Sequence, residues 1–366
     1  MKLLLQDLIG AHYRLAIYKL MAEQIGCDFC FGDRWEDIKT MDFTQLPSKV
    51  TILKNVRFPF FYLQRGLLRF LRSDYDTYIL NGEPRCLTAW LFMVGKRIFF
   101  PSKRILLWGH GLSGKEGFLK HFIVRVFYKL SDGAFIYNER SSKLLATQGI
   151  SPVNLHPIYN SLDYDSQLPI RKNIARSNIY SNHFHNDLKN LIFIGRLTPI
   201  KQLHLLIEAV SVLREAGTQV NVTFVGDGSE RARLEQLAKE RNLQEQIWFA
   251  GACYDEYRNA EFIYNADLCV SPGNIGLTAI HVMMFGCPII THNDFALQMP
   301  EFEAISNGVT GTFFEAGNSH ALAESICSWL NTHADRISIR EACYCEIDTK
   351  WNPHHQIEII KKVLFE

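Results

Sequence analysis

Hydrophobic and polar positions form two kinds of run along most of the chain. Short apolar runs bounded by turn residues are typical of buried strands, and longer runs with apolar residues every three to four positions are typical of helices. In the first half, the strand-like runs are Lys2–Leu8, Val50–Ile52, Thr77–Leu80, Arg104–Trp108, Gly133–Tyr137 and Val153–Tyr159. Strands that alternate with helices predict a parallel sheet covered on both faces.

The second half repeats this alternation more regularly. The predicted strands are Leu191–Ile194, Val220–Val225, Ile247–Ala250, Leu268–Ser271, Pro288–Thr291 and Thr312–Phe314. A polar segment, residues 171–190, lacks a core pattern and is interpreted as a linker. The sequence therefore predicts an α/β protein with two Rossmann-like, doubly wound domains that face a cleft, residues 1–170 and 186–350. We expect a C-terminal helix at about 352–366 to pack back on the first domain.

Length and charge support two domains and indicate the kind of partner. The chain has 366 residues and a net charge of +1, which gives no overall attraction to nucleic acid. Residues 1–165 carry 22 Lys and Arg against 15 Asp and Glu, a net charge of +7, and the remainder carries 17 against 23, a net charge of −6. Either the basic half faces an anionic surface or ligand, or the solvated charge is simply uneven.

Cysteine usage and the N-terminus predict a cytoplasmic protein. The nine cysteines show no disulfide-like spacing, which fits a reducing compartment, and Cys27 and Cys30 are interpreted as small core residues. The apolar run Met1–Leu5 is too short for a signal peptide. No apolar window reaches the length of a membrane-spanning helix.

The stretch GHGLSGK, residues 109–115, contains most of a P-loop after an apolar strand. A P-loop needs Ser or Thr after the Lys, because that hydroxyl binds Mg²⁺ beside the phosphates. This chain has Glu116 there, and a carboxylate would repel phosphate oxygens. A tight strand-to-helix turn is the better interpretation, and it leaves His110 at the end of a strand.

Two segments of the second half carry candidate anion-binding groups. Arg196 and Lys201 follow a predicted strand across a turn, where Arg offers a planar fork and Lys a point charge to phosphate oxygens. Two solvated surface charges remain the alternative. The segment SPGNIGLTAIHVMMFGCPII, residues 271–290, begins a helix near Gly276, Leu277 and Thr278, whose amides can bind an anion. His281 lies one turn further along.

Four segments, in their order and spacing, resemble family 4 glycosyltransferases. They are GRLTPIK, VTFVGDGSERARLEQLAKE, SPGNIGLTAIHVMMFGCPII and NGVTGTFFEAG. The resemblance is strong over about residues 150–330 and looser in the first half, through LIGAHYR, ILLWGHG, SDGAFIYN and HPIYNSLD. It implies a GT-B fold, with two Rossmann-like domains, and a retaining enzyme that uses a nucleotide sugar.

The resemblance also implies roles for individual residues. Arg196 and Lys201 would hold the diphosphate of the donor, and the amides of Gly276, Leu277 and Thr278 would hold its distal phosphate. Gly10 would let the backbone approach the same diphosphate. His110 would face the donor sugar, as the catalytic residue.

Two departures from the family pattern concern the donor. The family usually has two Glu eight positions apart, which hold the donor sugar and the ribose, and this chain has Gly273 and His281 in their places. Asn274 could replace the first Glu with neutral hydrogen bonds, and His281 could contact the ribose. The usual Pro-Glu of a later loop corresponds to either Glu301 or Glu303.

Metal and membrane binding can also be weighed from the sequence. Asp-Tyr-Asp occurs at residues 74–76 and 163–165, but neither copy stands where a donor diphosphate would be held, so we expect no metal and no other cofactor. Two basic amphipathic stretches, residues 58–72 and 114–129, predict contact with an anionic membrane surface, unless they are core elements with snorkelling Lys and Arg.

The sequence therefore predicts a glycosyltransferase peripheral to the inner face of the membrane. It would move a sugar from a nucleotide sugar to a glycan or lipid-linked oligosaccharide, in the synthesis of a cell-surface polysaccharide. Two alternatives stay open. A nucleotide-sugar epimerase of the same fold would need acid–base carboxylates, of which the sequence shows no convincing set. A catalytically degenerate scaffold would fit the lost Glu pair but not the intact Arg196 and Lys201.

Overall fold

The computed structural model describes residues 1–36 and 38–366 and divides the chain into two compact units. Unit 1 comprises Met1–Asp163 and Asn352–Glu366, and unit 2 comprises Tyr164–Trp351.

The strands are β1 Leu3–Asp7, β2 Cys27–Gly32, β3 Val50–Arg57, β4 Tyr62–Arg65, β5 Thr77–Asn81, β6 Arg104–Gly109, β7 Gly133–Ile136, β8 Leu155–Pro157, β9 Lys189–Ile194, β10 Val220–Val225, β11 Ile247–Gly251, β12 Leu268–Ser271, β13 Ile289–His292 and β14 Gly311–Phe314. The helices are α1 Leu15–Ile25, α2 Leu87–Phe99, α3 Phe118–Lys129, α4 Glu139–Thr147, α5 Tyr164–Asn173, α6 Ile179–Phe184, α7 His204–Glu215, α8 Arg231–Glu240, α9 Glu256–Asn265, α10 Thr278–Met284, α11 Ser319–Thr332, α12 Arg336–Thr349 and α13 Pro353–Phe365.

Unit 1 is built on a sheet of order β4-β3-β2-β1-β5-β6-β7-β8, parallel throughout except for the β3–β4 pair. One face packs against α1 and α13, through Ile17, Met21, Ile357 and Ile360. The other face packs against α2, α3 and α4. Strands β2, β3 and β4 are added on one side of β1, and strands β5 to β8 are added on the other side. The strand order therefore reverses between β1 and β5, and sheets of this type bind ligands at the carboxyl ends of the strands at such a switch point.

Unit 2 is built on a fully parallel sheet of order β11-β10-β9-β12-β13-β14. Helices α7 and α11 pack on one face through buried Leu206, Ile207, Leu322 and Ile326. The switch point lies between β9 and β12. The doubly wound α/β architecture expected from the sequence is therefore present in each unit.

Two strands of unit 1 were not predicted. The residues of β2 are nearly all buried, and Cys27 and Cys30 within it have 0% exposure, in line with their interpretation as core residues. Strand β4 is a short antiparallel edge strand inside the basic stretch 58–72. That stretch continues into a 3-10 helix, Leu67–Arg72, whose Leu67, Phe70 and Leu71 are buried, so much of it is core rather than surface.

The division between the units differs from the expected boundaries. It falls at Asp163 rather than at residue 170, and the segment interpreted as a linker, residues 171–190, includes the end of α5 and the whole of α6. Helix α5 belongs to unit 2, because Arg171 forms a two-pronged ion pair with Asp348 at 2.9 Å for each contact. The C-terminal helix α13 belongs to unit 1, where it packs on α1.

We find no helix in residues 1–36 and 38–366 whose length and apolar character match those of a membrane-spanning helix.

Candidate functional site

The loops at the switch point of unit 2 carry most of the candidate residues. The loop after β9 contains Arg196 and Lys201, and the loop after β12 contains Gly273, Asn274 and Gly276. Because β9 and β12 are neighbours in the sheet, these two loops leave the same edge side by side. The fold thus brings together two segments that are more than seventy residues apart in the chain.

The two loops touch at their backbones. The amide of Gly273 donates a hydrogen bond to the carbonyl oxygen of Lys201, with an N–O distance of 2.9 Å. A Cβ atom on Gly273 would lie 2.1 Å from the carbonyl oxygen of Ile200. No side chain can therefore occupy position 273 without moving the neighbouring loop, which gives a steric reason for the missing first Glu.

Lys201 is anchored where the two loops meet. Its Nζ donates to the backbone oxygen of Asn274 at 2.7 Å and to the Oδ1 of Asn274 at 3.0 Å. Burial, and after it the positive charge of Arg196, lower the pKa of Lys201 to about 8, while Glu301 acts in the opposite direction. Burial and a neighbouring positive charge both disfavour the charged form of an ammonium group.

Arg196 adds a second cation beside Lys201. Its side chain is exposed and forms no ion pair with any residue among those that the structure describes. Two cations, only one of them fixed by hydrogen bonds, form a place for an anion such as a diphosphate.

Helix α10 begins at the same place. The amides of Gly276, Leu277 and Thr278 have no acceptor within residues 1–36 and 38–366, and these three residues are half-buried between buried neighbours. A Cβ atom on Gly276 would meet only ordinary contacts, the closest at 3.7 Å. Unlike Gly273, Gly276 is therefore not required by the packing of the chain itself.

The structure favours Glu301 over Glu303 as the acidic residue of the later loop. Glu301 is 2% exposed, and its Oε2 would lie 4.0 Å from a Cβ atom on Gly276. Its negative charge acts on Lys201, as the pKa of that residue shows. Glu303 is only half-buried.

His281 lies on α10 one turn beyond Thr278, as expected, but its ring already has a partner. Its Nε2 lies 2.9 Å from the Oε1 of Glu256, the first residue of α9. Only Nδ1 of the ring is thus left for a ligand. Glu256 was not identified from the sequence, because no local pattern connects it with a histidine on another helix.

In unit 1, Gly10 follows β1 at the switch point. A Cβ atom at Gly10 would lie 2.5 Å from the Cε1 of Phe43, so the packing of that ring already requires glycine here.

His110 directly follows β6, whose carboxyl end neighbours that of β5. Its ring packs against Tyr137, with the ring centroids 4.7 Å apart. The guanidinium of Arg14 lies 5.0 Å from the centroid of Tyr137 and 5.1 Å from that of Trp108. Arg14 also lies 3.8 Å from Asp7, and both side chains are close to fully buried.

This surrounding keeps His110 neutral. Desolvation, and after it the positive charge of Arg14, lower the pKa of His110 to about 4. Of these two causes, the charge of Arg14 is the one that a substitution can remove. A neutral imidazole can donate one hydrogen bond and accept another.

The hydrogen bonds within the loop after His110 show why the stretch GHGLSGK resembles a P-loop without having a free phosphate site. The amides of Ser113 and Gly114 and the hydroxyl of Ser113 all donate to the carboxylate of Glu116, at 3.0, 2.8 and 2.8 Å. Burial acts to raise the pKa of Glu116, but these hydrogen bonds outweigh it and lower the pKa to about 2. The chain's own carboxylate therefore fills the position that a phosphate would take.

The two Asp-Tyr-Asp motifs are not assembled into a metal site. Asp74 and Asp76 both contact Lys2, through its side chain and its amide respectively. Across the described ranges, 1–36 and 38–366, no three or more His, Cys, Asp and Glu side chains are grouped as ligands for one ion.

Most of unit 2 is similar to a known protein family. Residues 176–344 match the family model described as glycosyl transferases group 1. The matched region contains Arg196, Lys201, the β12–α10 loop and His281. The resemblance expected from the sequence is thus confirmed for these residues, at the level of glycosyl transferases group 1.

Relatives and solved structures support the same conclusion. The amylovoran biosynthesis glycosyltransferase AmsK of Erwinia amylovora is 24% identical over 207 residues, which are 52% of this chain and 50% of AmsK. The chain spans about half the length of the curated relatives it matches. HepE of Anabaena, solved in complex with UDP, aligns with a TM-score of 0.73 and 17% identity over 100% of this chain and 99% of its own.

A glycosyltransferase from Rickettsia africae aligns over the same shares of both chains, with a TM-score of 0.74 and 16% identity. Identities this low establish the fold alone. The predicted GT-B fold is confirmed.

Proposed function

We propose that this protein is a retaining glycosyltransferase that moves a sugar from a nucleoside-diphosphate sugar to a glycan or lipid-linked oligosaccharide. The relationship to AmsK, which is named for amylovoran biosynthesis, favours a role in making a cell-surface polysaccharide. HepE, which shares this fold, was solved in complex with the nucleoside diphosphate UDP.

The pairing of Lys201 with Arg196 is the observation that carries the proposal. Transfer of the sugar leaves negative charge on the departing diphosphate, and fixed cations in a partly dry site stabilise that charge. Lys201 is held by Asn274, and burial together with the positive charge of Arg196 lowers its pKa. A diphosphate would place negative charge beside both cations, and the free amides of the β12–α10 loop offer it further donors.

In this proposal, His110 contacts the sugar being transferred. Its neutral ring can form a hydrogen bond to a sugar hydroxyl without adding positive charge. The leaving phosphate itself accepts the proton of the acceptor hydroxyl on the same face, so no strong protein base is needed. The positive charges of Arg196 and Lys201 neutralise the diphosphate, as a divalent metal ion does in other enzymes. We propose that the reaction needs neither a metal nor another cofactor.

The acceptor side of the proposal rests on an exposed apolar surface of α3. Phe118, Leu119, Phe122 and Ile123 are 89%, 70%, 56% and 39% exposed. Lys120 and Arg125 are exposed on the same helix. Apolar side chains that can enter the boundary of a bilayer, beside cations that attract anionic headgroups, suit peripheral binding to an anionic membrane. A lipid-linked acceptor would be reached from there, on the cytoplasmic face.

The test is hydrolysis and transfer assayed with a panel of UDP, GDP, ADP and CDP sugars, for the wild type and for Arg196→Ala and Lys201→Ala. We expect turnover with one nucleotide class, and a loss of about 2–4 kcal/mol of transition-state stabilisation in each variant. Epimerised donor without loss of the nucleotide would indicate the epimerase. Absence of turnover with every donor would indicate a degenerate scaffold.

A further inference from the structure

Glu256 occupies an unusual position for the first residue of a surface helix. Its Oε1 contacts the Nε2 of His281 at 2.9 Å and accepts a hydrogen bond from the Nε2 of Gln167 at 2.7 Å. These two partners come from α10 and α5, which are distant in the chain. Partial burial acts to raise the pKa of Glu256, but His281, Gln167 and Asn259 outweigh it, so the group stays ionised at neutral pH.

The fold places this carboxylate at the ligand edge of the sheet. Helix α9 follows β11 and helix α10 follows β12, and all strands of this sheet are parallel, so both helices begin at its carboxyl edge. Asp255 caps α9 by accepting from the amides of Tyr257 and Arg258, which fixes the start of the helix at Glu256. The Glu256 side chain keeps 33% of its surface exposed.

The chemistry of the pair favours one class of ligand group. A carboxylate has four acceptor sites, and it binds the vicinal hydroxyls of a ribose well because both hydroxyls can donate to it. His281 and Gln167 both use Oε1 of Glu256, and Asn259 also stabilises the carboxylate, so the remaining acceptor capacity lies on Oε2. His281, by contrast, has one ring nitrogen committed to Glu256.

We propose that Glu256 binds the ribose hydroxyls of the nucleotide and that His281 is a positioning residue, which holds the Glu256 carboxylate rather than the ribose itself. This inference rests on the proposed function. It changes the role of His281 expected from the sequence.

Electrostatic repulsion explains why position 281, beside Glu256, does not carry a second acidic residue. A Glu at position 281 would bring a second carboxylate next to Glu256, and like charges at such a distance do not both ionise readily. A histidine there instead offers a donor to the carboxylate. The carboxylate is thus carried by α9, and α10 supplies its partner.

The experiment is calorimetry with UDP, GDP, ADP and CDP and with their 2′-deoxy counterparts. For the nucleotide that binds, we expect wild type to prefer the ribonucleotide by about ten- to a hundredfold, as for a hydrogen bond to a charged group. Glu256→Gln should reduce this preference to about twofold or less, with little change in the affinity for the 2′-deoxy form. An unchanged preference in Glu256→Gln would overturn the inference.

Glu261→Gln is the matched control, because Glu261 lies on the same helix but pairs with Arg258 and Ser177. It should retain the wild-type preference. His281→Leu should lose much of the preference, and His281→Gln, which keeps a donor, should recover it. Wild-type preference in both His281 variants would contradict the positioning role.

The experiment distinguishes failure of the proposed function from failure of the role proposed for Glu256. If wild type binds no nucleoside diphosphate, both the proposed function and this inference are wrong. If wild type binds one, and the preference for ribose does not depend on Glu256, only the inference is wrong.

Discussion

The amide of Gly273 and the carbonyl oxygen of Lys201, 2.9 Å apart, join the two loops that carry the candidate donor site. Gly273→Ala should separate them, because the new Cβ would collide with backbone atoms of residues 200 and 201. We expect a loss of about 1–3 kcal/mol in the free energy of unfolding, as for overpacking, and weaker nucleotide binding. Denaturant unfolding and calorimetry would measure both effects.

Gly276→Ala is the comparison for that variant, since its Cβ would meet only ordinary contacts within the protein. It should unfold like wild type, and any loss of nucleotide binding would then reflect the space that the ligand needs. Equal stability of Gly273→Ala and wild type would contradict the steric argument.

The affinity for the nucleoside diphosphate should depend on the charge of Lys201. In the free protein its pKa is about 8, and a bound diphosphate must raise that pKa, so binding takes up a proton above pH 8. Affinity should therefore fall as pH rises from 8 to 9.5, approaching about tenfold per pH unit for one linked proton. Calorimetry across this range tests it, and Lys201→Arg should give a flatter profile.

Arg14 should control the protonation of His110. Because the guanidinium disfavours a second positive charge, Arg14→Met should raise the pKa of His110 from about 4 toward the ordinary value for histidine. Titration of the His110 ring by NMR measures this directly. A thermal melt must accompany it, since the variant also removes one partner of Asp7, which accepts further hydrogen bonds from Tyr18 and Asn81. An unchanged pKa in a folded variant would count against this arrangement.

Many features of residues 176–344 could be predicted from the sequence, because they depend on residues that are close together in the chain. Strands β10 and β12 matched their predicted bounds, and Arg196, Lys201 and Gly276 lie in the loops after β9 and β12, whose apolar runs are unambiguous. The hydrogen bond between His281 and Glu256 could not be predicted, because it joins two helices through the packing of the whole unit. The filling of the Ser113–Gly114 turn by Glu116 likewise depends on the loop's folded shape.

Activity should persist in excess EDTA. Asp74 and Asp76 of the first Asp-Tyr-Asp motif contact Lys2, and at the candidate donor site Lys201 and Arg196 supply the positive charge. Initial rates with and without chelator, and with added Mn²⁺ or Mg²⁺, test this. Complete loss of activity that either metal restores would show that the expectation is wrong.

Vesicle binding should depend on the exposed face of α3. Phe118→Ser combined with Phe122→Ser should weaken partitioning to anionic vesicles by about tenfold or more, since burying one such ring contributes about 1.5–3 kcal/mol. Ile337→Ser, at an exposed apolar position on α12, is the control and should bind like wild type. Binding should also weaken with salt. Equal binding of the double variant and wild type would exclude α3 as the contact.

The discontinuous unit 1 has a consequence for synthesis on the ribosome. Its last helix, α13, covers α1 with Ile357 and Ile360, but residues 164–351 are made in between. At 5–20 residues per second, this interval lasts roughly 10–40 s. During that time the apolar face of α1 awaits its partner while unit 2, which is continuous in the chain, can already fold. The nascent protein would therefore complete its second unit before its first.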